Sequence, residues 1–465
     1  MTDLLIRGGT VVTVDGSRRA DVAVDGGRIV DVGPGLGERA ANDARETVDA
    51  SGLLVLPGCI DVHTHVRVPT DAEPDRFFQD SVAAAFGGTT TFLVFNTPST
   101  GGATAVSTSL RRNLASWRSL TDSESAIDYG VSLVVMGQIE DPVAEIPAIV
   151  EAGVPTAKAF MVYDFRLPDR TLLLTMRAMA RAGGMLQVHC EDPVLIDAAV
   201  EAALARGDTA PPFHAVTRSR EAEAVATHRA MEFARAADAP AHVVHLSCAA
   251  ALDEVRRAKA AGIRAHAETC PHYLTLTESR YEDPDPARVI GAVISPPLRS
   301  ATDRDAMWAG LADGTLDLVA TDHVPDRLDR EKVLPAPPFD QISNGAPGIE
   351  TLLTLVYGHG VAKGRLTLER MVDLLATTPA RLFGLGSKGS IEPGKDADVV
   401  LFDPSTHRTI RATDLHHTSD YTAYEGLDVD GAVRSVFVRG RLVVRDGAFV
   451  GQRGFGRFVE RRLDS

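Results

Sequence analysis

The sequence predicts an α/β protein: a closed (β/α)8 (TIM) barrel joined to a small β-sandwich formed from both chain ends. Two patterns carry that expectation. Through the middle of the chain, a helix-like segment ending in glycine repeatedly precedes an apolar, β-branched run. At both ends, short alternating runs are separated by tight turn signals instead.

Residues 1–55 contain Leu4-Leu5-Ile6, Thr10 to Val14, Asp21 to Val24, Arg28 to Val32 and Leu53 to Leu56, divided by Asp15-Gly16, Asp25-Gly26-Gly27 and Gly33-Pro34-Gly35. Beyond residue 387 the same style returns in Ala397 to Phe402 and in Val436 to Val444, which ends in Arg445-Asp446-Gly447 and echoes Ile6 to Gly16. Residues 1–55 and 388–465, with a C-terminal tail, are therefore expected to form one sandwich around a barrel spanning 56–387. In the middle, Ala83 to Gly87 precedes Thr89 to Phe95, and Ile149 to Gly153 precedes Thr156 to Val162. Ala178 to Gly183 precedes Met185 to His189, Ala258 to Gly262 precedes Ile263 to Ala267, and Leu311 to Gly314 precedes Leu316 to Ala320. Glycine at these helix ends is read as a left-handed cap. The helices carry an apolar stripe such as Ala222, Ala226, Ala230, Phe233 and Ala237. With Leu56 to His65, Tyr129 to Met136 and Ala241 to Leu246, the strands number eight, which favours a closed parallel barrel. A doubly wound open sheet would call for a Gly-rich nucleotide loop after an early strand, and none is found.

Composition narrows the function. Asp and Glu number 63 against 48 Lys and Arg, with no basic tract, so a nucleic-acid partner is not expected. Cys59, Cys190, Cys248 and Cys270 form no Cys-x-x-Cys pair, which suits a reducing compartment. No apolar run approaches the roughly 20 residues that span a bilayer, and residues 1–9 lack a signal pattern. The expectation is a soluble cytoplasmic protein without a membrane partner.

In such barrels the chemistry gathers at the C-terminal ends of the strands. His63 and His65 end the first strand, and their i, i+2 spacing aims both imidazoles from one face. Lys158 lies in the fourth strand, His189 ends the fifth, His245 closes the sixth and Asp322 the eighth. Four histidines and a carboxylate suit a divalent ion such as zinc. Lys158 fits only if it is neutral, since an ammonium cannot bind a cation. Burial beside other cations would neutralise it, and a neutral amine can take up carbon dioxide to become a two-oxygen carbamate able to bridge two metals. The plainer alternative is a cation that holds an acidic substrate. His242 is expected to face the other side of its strand, and His266, His272 and His323 to lie near the mouth.

Asp61-Val62-His63-Thr64-His65, Lys158 to Tyr163, Val188 to Asp192, His245-Leu246-Ser247, Glu268 to Tyr273, Ser295 to Arg299, Thr321-Asp322-His323, Asn344 to Glu350 and Asp420 to Gly426 together resemble the hydantoinase/dihydropyrimidinase group of cyclic amidohydrolases, over nearly the whole chain. The resemblance implies two zinc ions: one held by His63, His65 and Asp322, the other by His189 and His245, both bridged by carboxylated Lys158 and a hydroxide. It implies that Tyr163 stabilises the oxyanion, that Ser295 and Asn344 hold a cyclic ureide, and that Asp322 carries the proton as the ring opens to an N-carbamoyl amino acid. It also implies a homotetramer or homodimer, with the tail Gly454 to Val459 at a subunit contact; the alternative for the tail is packing on its own sandwich. Arg67 departs from the group, which usually has a non-basic residue there. Dihydroorotases use His-x-His-x-Arg to bind a substrate carboxylate, so a dihydroorotase- or allantoinase-like activity, with Asn96 assisting Arg67, is the alternative. Arg67 paired with Asp71, Glu73 or Asp75 is the plainer one. A non-catalytic dihydropyrimidinase-like binding protein is the remote third. The loops at 66–76, 96–104 and 163–170 are expected to border the ring substituent.

Overall fold

The computed structural model describes residues 2–40, 44–96, 107–333 and 337–464; most of the expected loop at 96–104 lies outside them. Five strands open the chain: β1 (Leu4–Thr13), β2 (Gly16–Asp25), β3 (Arg28–Gly33), β4 (Glu46–Asp49) and β5 (Leu54–Pro57). Eight follow in the middle: β6 (Cys59–Thr64), β7 (Thr89–Phe95), β8 (Asp128–Val134), β9 (Thr156–Phe160), β10 (Met185–His189), β11 (Ala241–Val243), β12 (Ala265–Thr269) and β13 (Leu318–Val319). Then come β14 (Val399–Thr409), β15 (Asp428–Val438), β16 (Arg441–Arg445) and β17 (Ala448–Phe449).

β6 to β13 pair in sequence order as one parallel sheet. A bridge between Thr64 and His323, with the His65 N–H donating to the His323 carbonyl at 2.7 Å, joins its two edges. The eight-strand barrel is thus present. The C-terminal glycines behave as expected at Gly153, Gly183, Gly262 and Gly314, all with φ near +80°. Gly87 is the exception: it stays right-handed and Gly88 turns left-handed at φ +85°. A Cβ on Gly87 would stand 2.6 Å from the Glu350 carbonyl, so close backbone approach accounts for that glycine.

The two chain ends meet in one nine-stranded mixed sheet, in which β5 joins β1 to β14. Its two halves share a core that includes Leu4, Ile6, Val22 and Ile29 with Val399, Leu401 and Phe437. Three details differ from expectation. Ile6 and Thr10 belong to one strand with a bulge at Arg7-Gly8, where Gly8 has φ +72°. Residues 436–444 are a hairpin rather than one strand, turning at Arg439-Gly440. Leu56 belongs to the terminal sheet, because the chain changes sheets at Gly58, whose missing side chain makes room for Thr90.

The tail packs mainly on the barrel, although Phe455 also lies against Arg439 and Arg441 of the terminal sheet. Tyr129 at the start of β8 exchanges backbone hydrogen bonds with Arg457 and Val459. Val459 and Leu463 enter a cluster with Ile60, Leu93, Met185 and Leu318 at the N-terminal end of the barrel. Arg461, fully buried, donates to the Val131 carbonyl (2.6 Å), Thr156 Oγ1 (3.0 Å) and the Phe383 carbonyl (3.3 Å).

Candidate metal centre and active site

β6 runs buried along its whole length, so His63 and His65 leave its C-terminal end into the barrel mouth. His63 Nε2 lies 2.9 Å and His65 Nε2 3.2 Å from Asp322 Oδ1. His63 Nε2 has no hydrogen-bond geometry to any partner. An imidazole nitrogen and a carboxylate oxygen this close without hydrogen-bond geometry is the habit of metal ligands. His63, His245 and Asp322 each offer a ligand atom, all within 4.8 Å of one another. The His189 ring centre stands 4.5 Å from that of His245, and its Nε2 meets Glu191 Oε2 at 2.7 Å. Its other nitrogen is thereby left for the cavity.

Lys158 lies in β9 beneath these rings, with none of its surface exposed. Its Nζ has no hydrogen-bond partner and rests 4.5 Å from the centre of the Phe95 ring and 5.1 Å from that of Phe160. Burial between aromatic walls pulls its amine down to about 8. The donor set fits a pair of divalent cations: imidazole nitrogens, one carboxylate and an amine ready to lose its charge.

The backbone holds three of these groups in conformations that side chains resist. Tyr163, His245 and Asp322 have φ of +75°, +41° and +50°. Each lies just past a strand end, where an abrupt left-handed step turns a side chain into the mouth. Asp61 fixes two of the walls by accepting from the His63 and Thr321 N–H groups and the Thr321 hydroxyl.

Above the centre lies a cavity of about 510 Å³ whose lining includes Arg67, Asn96, Tyr163, Ser295 and Asn344. His65, Lys158, His189, His245 and Asp322 also line it, while His63 lies buried behind them. Asn344 Oδ1 is buried without a partner. Asn96 Oδ1 accepts from the Val134 N–H at 2.8 Å. Arg67 does not pair with Asp71, Glu73 or Asp75; its two terminal nitrogens donate to Asp326 and Glu331.

The fold and this centre can be compared with known proteins. The description "Amidohydrolase family" matches residues 54–443. A D-hydantoinase of Ralstonia pickettii is 39% identical over 99% of both chains, and one of Rhizobium radiobacter is 38% identical over 99% of both. The crystal structure of a dihydropyrimidinase from Brevibacillus agri NCHU1002 superposes with a TM-score of 0.93, at 39% identity over the full length of both chains. This chain belongs to the amidohydrolase family, in its hydantoinase/dihydropyrimidinase group. Membership implies a site for two divalent metal ions, consistent with the cluster of donors just described.

Sequence reasoning assigned no role to several groups that orient the candidate ligands of this amidohydrolase. Glu268, at the end of β12, accepts from His63 Nδ1 through one oxygen and lies 2.8 Å from His242 Nε2 through the other. Glu191 receives both His189 and Arg218, the latter at 2.6 Å, and the Arg218 guanidinium stands 5.3 Å from the Tyr163 ring centre. The available signal was an acidic residue two places after one ligand, and another at the end of a strand that supplies no ligand itself. His242 corrects an expectation: it turns inward, under the metal site. β11 ends at Val243 and His245 is left-handed, so strand alternation does not carry across to His245. His266 is corrected too. It lies 3.7 Å from Asp317, near the starts of β12 and β13, at the opposite end from the mouth.

Proposed function

We propose that this amidohydrolase opens the ring amide of hydantoins and 5,6-dihydropyrimidines, giving N-carbamoyl amino acids. The observation carrying the reading is Lys158, an unpartnered and fully buried amine beneath His63, His65, His189, His245 and Asp322. With its pKa brought down to about 8, a useful fraction is neutral and can accept carbon dioxide as a carbamate. His63, His65 and Asp322 would hold one zinc ion, His189 and His245 the other, and carboxylated Lys158 both. When bound, the two ions supply hydroxide at neutral pH and polarise the ring carbonyl.

The remaining work falls to side chains. Tyr163 stays protonated because burial pushes its phenol up, so its O–H can donate to the carbonyl oxygen as that atom gains charge. Burial would push Asp322 up as well, but His63, His65 and His245 hold it well below the usual range. It is therefore a carboxylate, able to accept the nucleophile's proton and return it to the ring nitrogen as the C–N bond breaks. Ser295 and Asn344 would hold the ureide edge, and Asn344 Oδ1 offers an acceptor.

A dihydroorotase-like role would need Arg67 to receive a substrate carboxylate, and two carboxylates already occupy it. A purely binding role has less support still, since every ligand position keeps its donor. The same reading places the protein in the cytoplasm, as a homotetramer or homodimer; its four cysteines are all free and buried, and among the described residues no helix is long and apolar enough to cross a membrane. Zinc-loaded protein assayed on dihydrouracil, hydantoins, allantoin and dihydroorotate tests the proposal. The expected result is turnover of the first two. A preference for dihydroorotate that disappears in Arg67→Ala would overturn it.

A further inference from the structure

Arg67 leaves the end of β6 toward the substrate cavity, yet its charge is spent on the segment that follows β13. Asp326 and Glu331 of that segment take its two terminal nitrogens. The pairing continues along both stretches. Glu73 meets Arg327 at 2.7 Å and Arg330 at 2.9 Å, and Arg76 lies 3.8 Å from Glu331. Charges thus alternate across two loops, and the pairs at Arg67 are largely withdrawn from water, with the Arg67 side chain 8% and that of Asp326 0% exposed. In such a setting an ion pair holds geometry, and removing one partner strands the other.

The next residue carries the connection inward. Lys332 is completely buried, and its Nζ donates to the Val293 and Ser343 carbonyls, each at 2.9 Å. Val293 lies two residues before Ser295, and Ser343 immediately precedes Asn344. The Gly345 N–H also donates to the Val293 carbonyl, at 3.0 Å, and Val324 donates to the Ala346 carbonyl at the same distance. One ammonium therefore pins together the two stretches that carry the proposed ureide-binding residues. A buried lysine with only carbonyl partners is costly to keep, which points to a positioning duty.

We propose that residues 324–333 form a strap, anchored by Arg67 and closed by Lys332, which sets the spacing of the Ser295 and Asn344 backbones around the substrate ring. Arg67 and Lys332 are positioning residues for ring binding, and Arg67 touches no substrate carboxylate. The inference rests on the ring-opening reading for its kinetic arm and is independent of it for its structural arm.

Arg67→Gln and Lys332→Met, assayed on a hydantoin with zinc-loaded enzyme, should each raise KM roughly tenfold while kcat falls far less and bound metal per chain is unchanged. Arg67→Lys should recover part of the loss. The double variant should be little worse than either single one, because both break one device. Hydrogen exchange should quicken in residues 324–333 and 343–346 of each variant. Unchanged KM together with unchanged exchange would overturn the strap. So would a loss in Arg67→Gln confined to carboxylate-bearing substrates such as dihydroorotate. If the wild type opens no cyclic ureide, the ring-opening reading fails and the exchange data alone decide the strap. Should Arg67→Gln not fold, Glu331→Gln removes one of the two anchoring pairs and is read in the same way.

Discussion

The floor and the rim of the cavity are built on different principles. On the floor, the ligand groups sit at or just past the ends of parallel strands, and their mutual distances follow from sheet register and barrel closure. On the rim, geometry comes from loops tied to loops: Arg67 to Asp326 and Glu331, and Lys332 to Val293 and Ser343. Backbone ladders place the floor groups, with Glu268 and Glu191 orienting them, whereas the rim depends more on side-chain charge between loops. Damage to the floor should therefore abolish chemistry, and damage to the rim should loosen substrate fit.

The largest effect is expected where the floor loses a ligand. Lys158→Ala should lose its metal by elemental analysis and its hydrolysis together, and chelation of the wild type should do the same; full activity in either case would remove the basis of the proposed function. Next comes the one group that spans both regions. Tyr163→Phe keeps the ring but loses the donor, so kcat should fall roughly 100- to 1,000-fold with metal content unchanged. Support beneath the floor ranks third. Glu268→Gln should cost about 10- to 100-fold in metal affinity or activity, measured by competition with a chelator and by steady-state rates. The smallest effect on chemistry belongs to the tail. Deleting residues 455–464 should lower the melting temperature by calorimetry while leaving the rate per bound metal near that of the full chain, because the tail packs at the end of the barrel away from the metals.

What the sequence disclosed divides along the same line. The eight barrel strands were legible, and the six proposed ligand positions could be suggested, because a strand and its end are local signals: an apolar run that carries Lys158 or is followed by a histidine or an aspartate. Local signals also misled. Counting alternation from His242 to His245 fails where the backbone turns left-handed, and the run 436–444 conceals a turn that only its pairing partner exposes. β4 was missed because Glu46–Asp49 has no buried face of its own and is a strand only by virtue of lying beside β1. The partners of Arg67 could not be read at all. They lie far along the chain, while three acidic residues stood nearby as easier choices. Nonlocal charge pairing leaves no periodicity in a sequence.

The route of the tail has a consequence for how the molecule is made. β1, β2, β3 and β5 leave the ribosome early, yet their inner face is covered by Val399, Leu401 and Phe437, which are synthesised only after the whole barrel. The barrel in turn receives Arg461, Val459 and Leu463 into its lower end later still. Neither unit can finish burying its apolar surface until the other end of the chain has emerged. Through most of translation the nascent protein carries an uncovered sheet and an unsealed barrel, surfaces open to misassembly until synthesis is nearly complete.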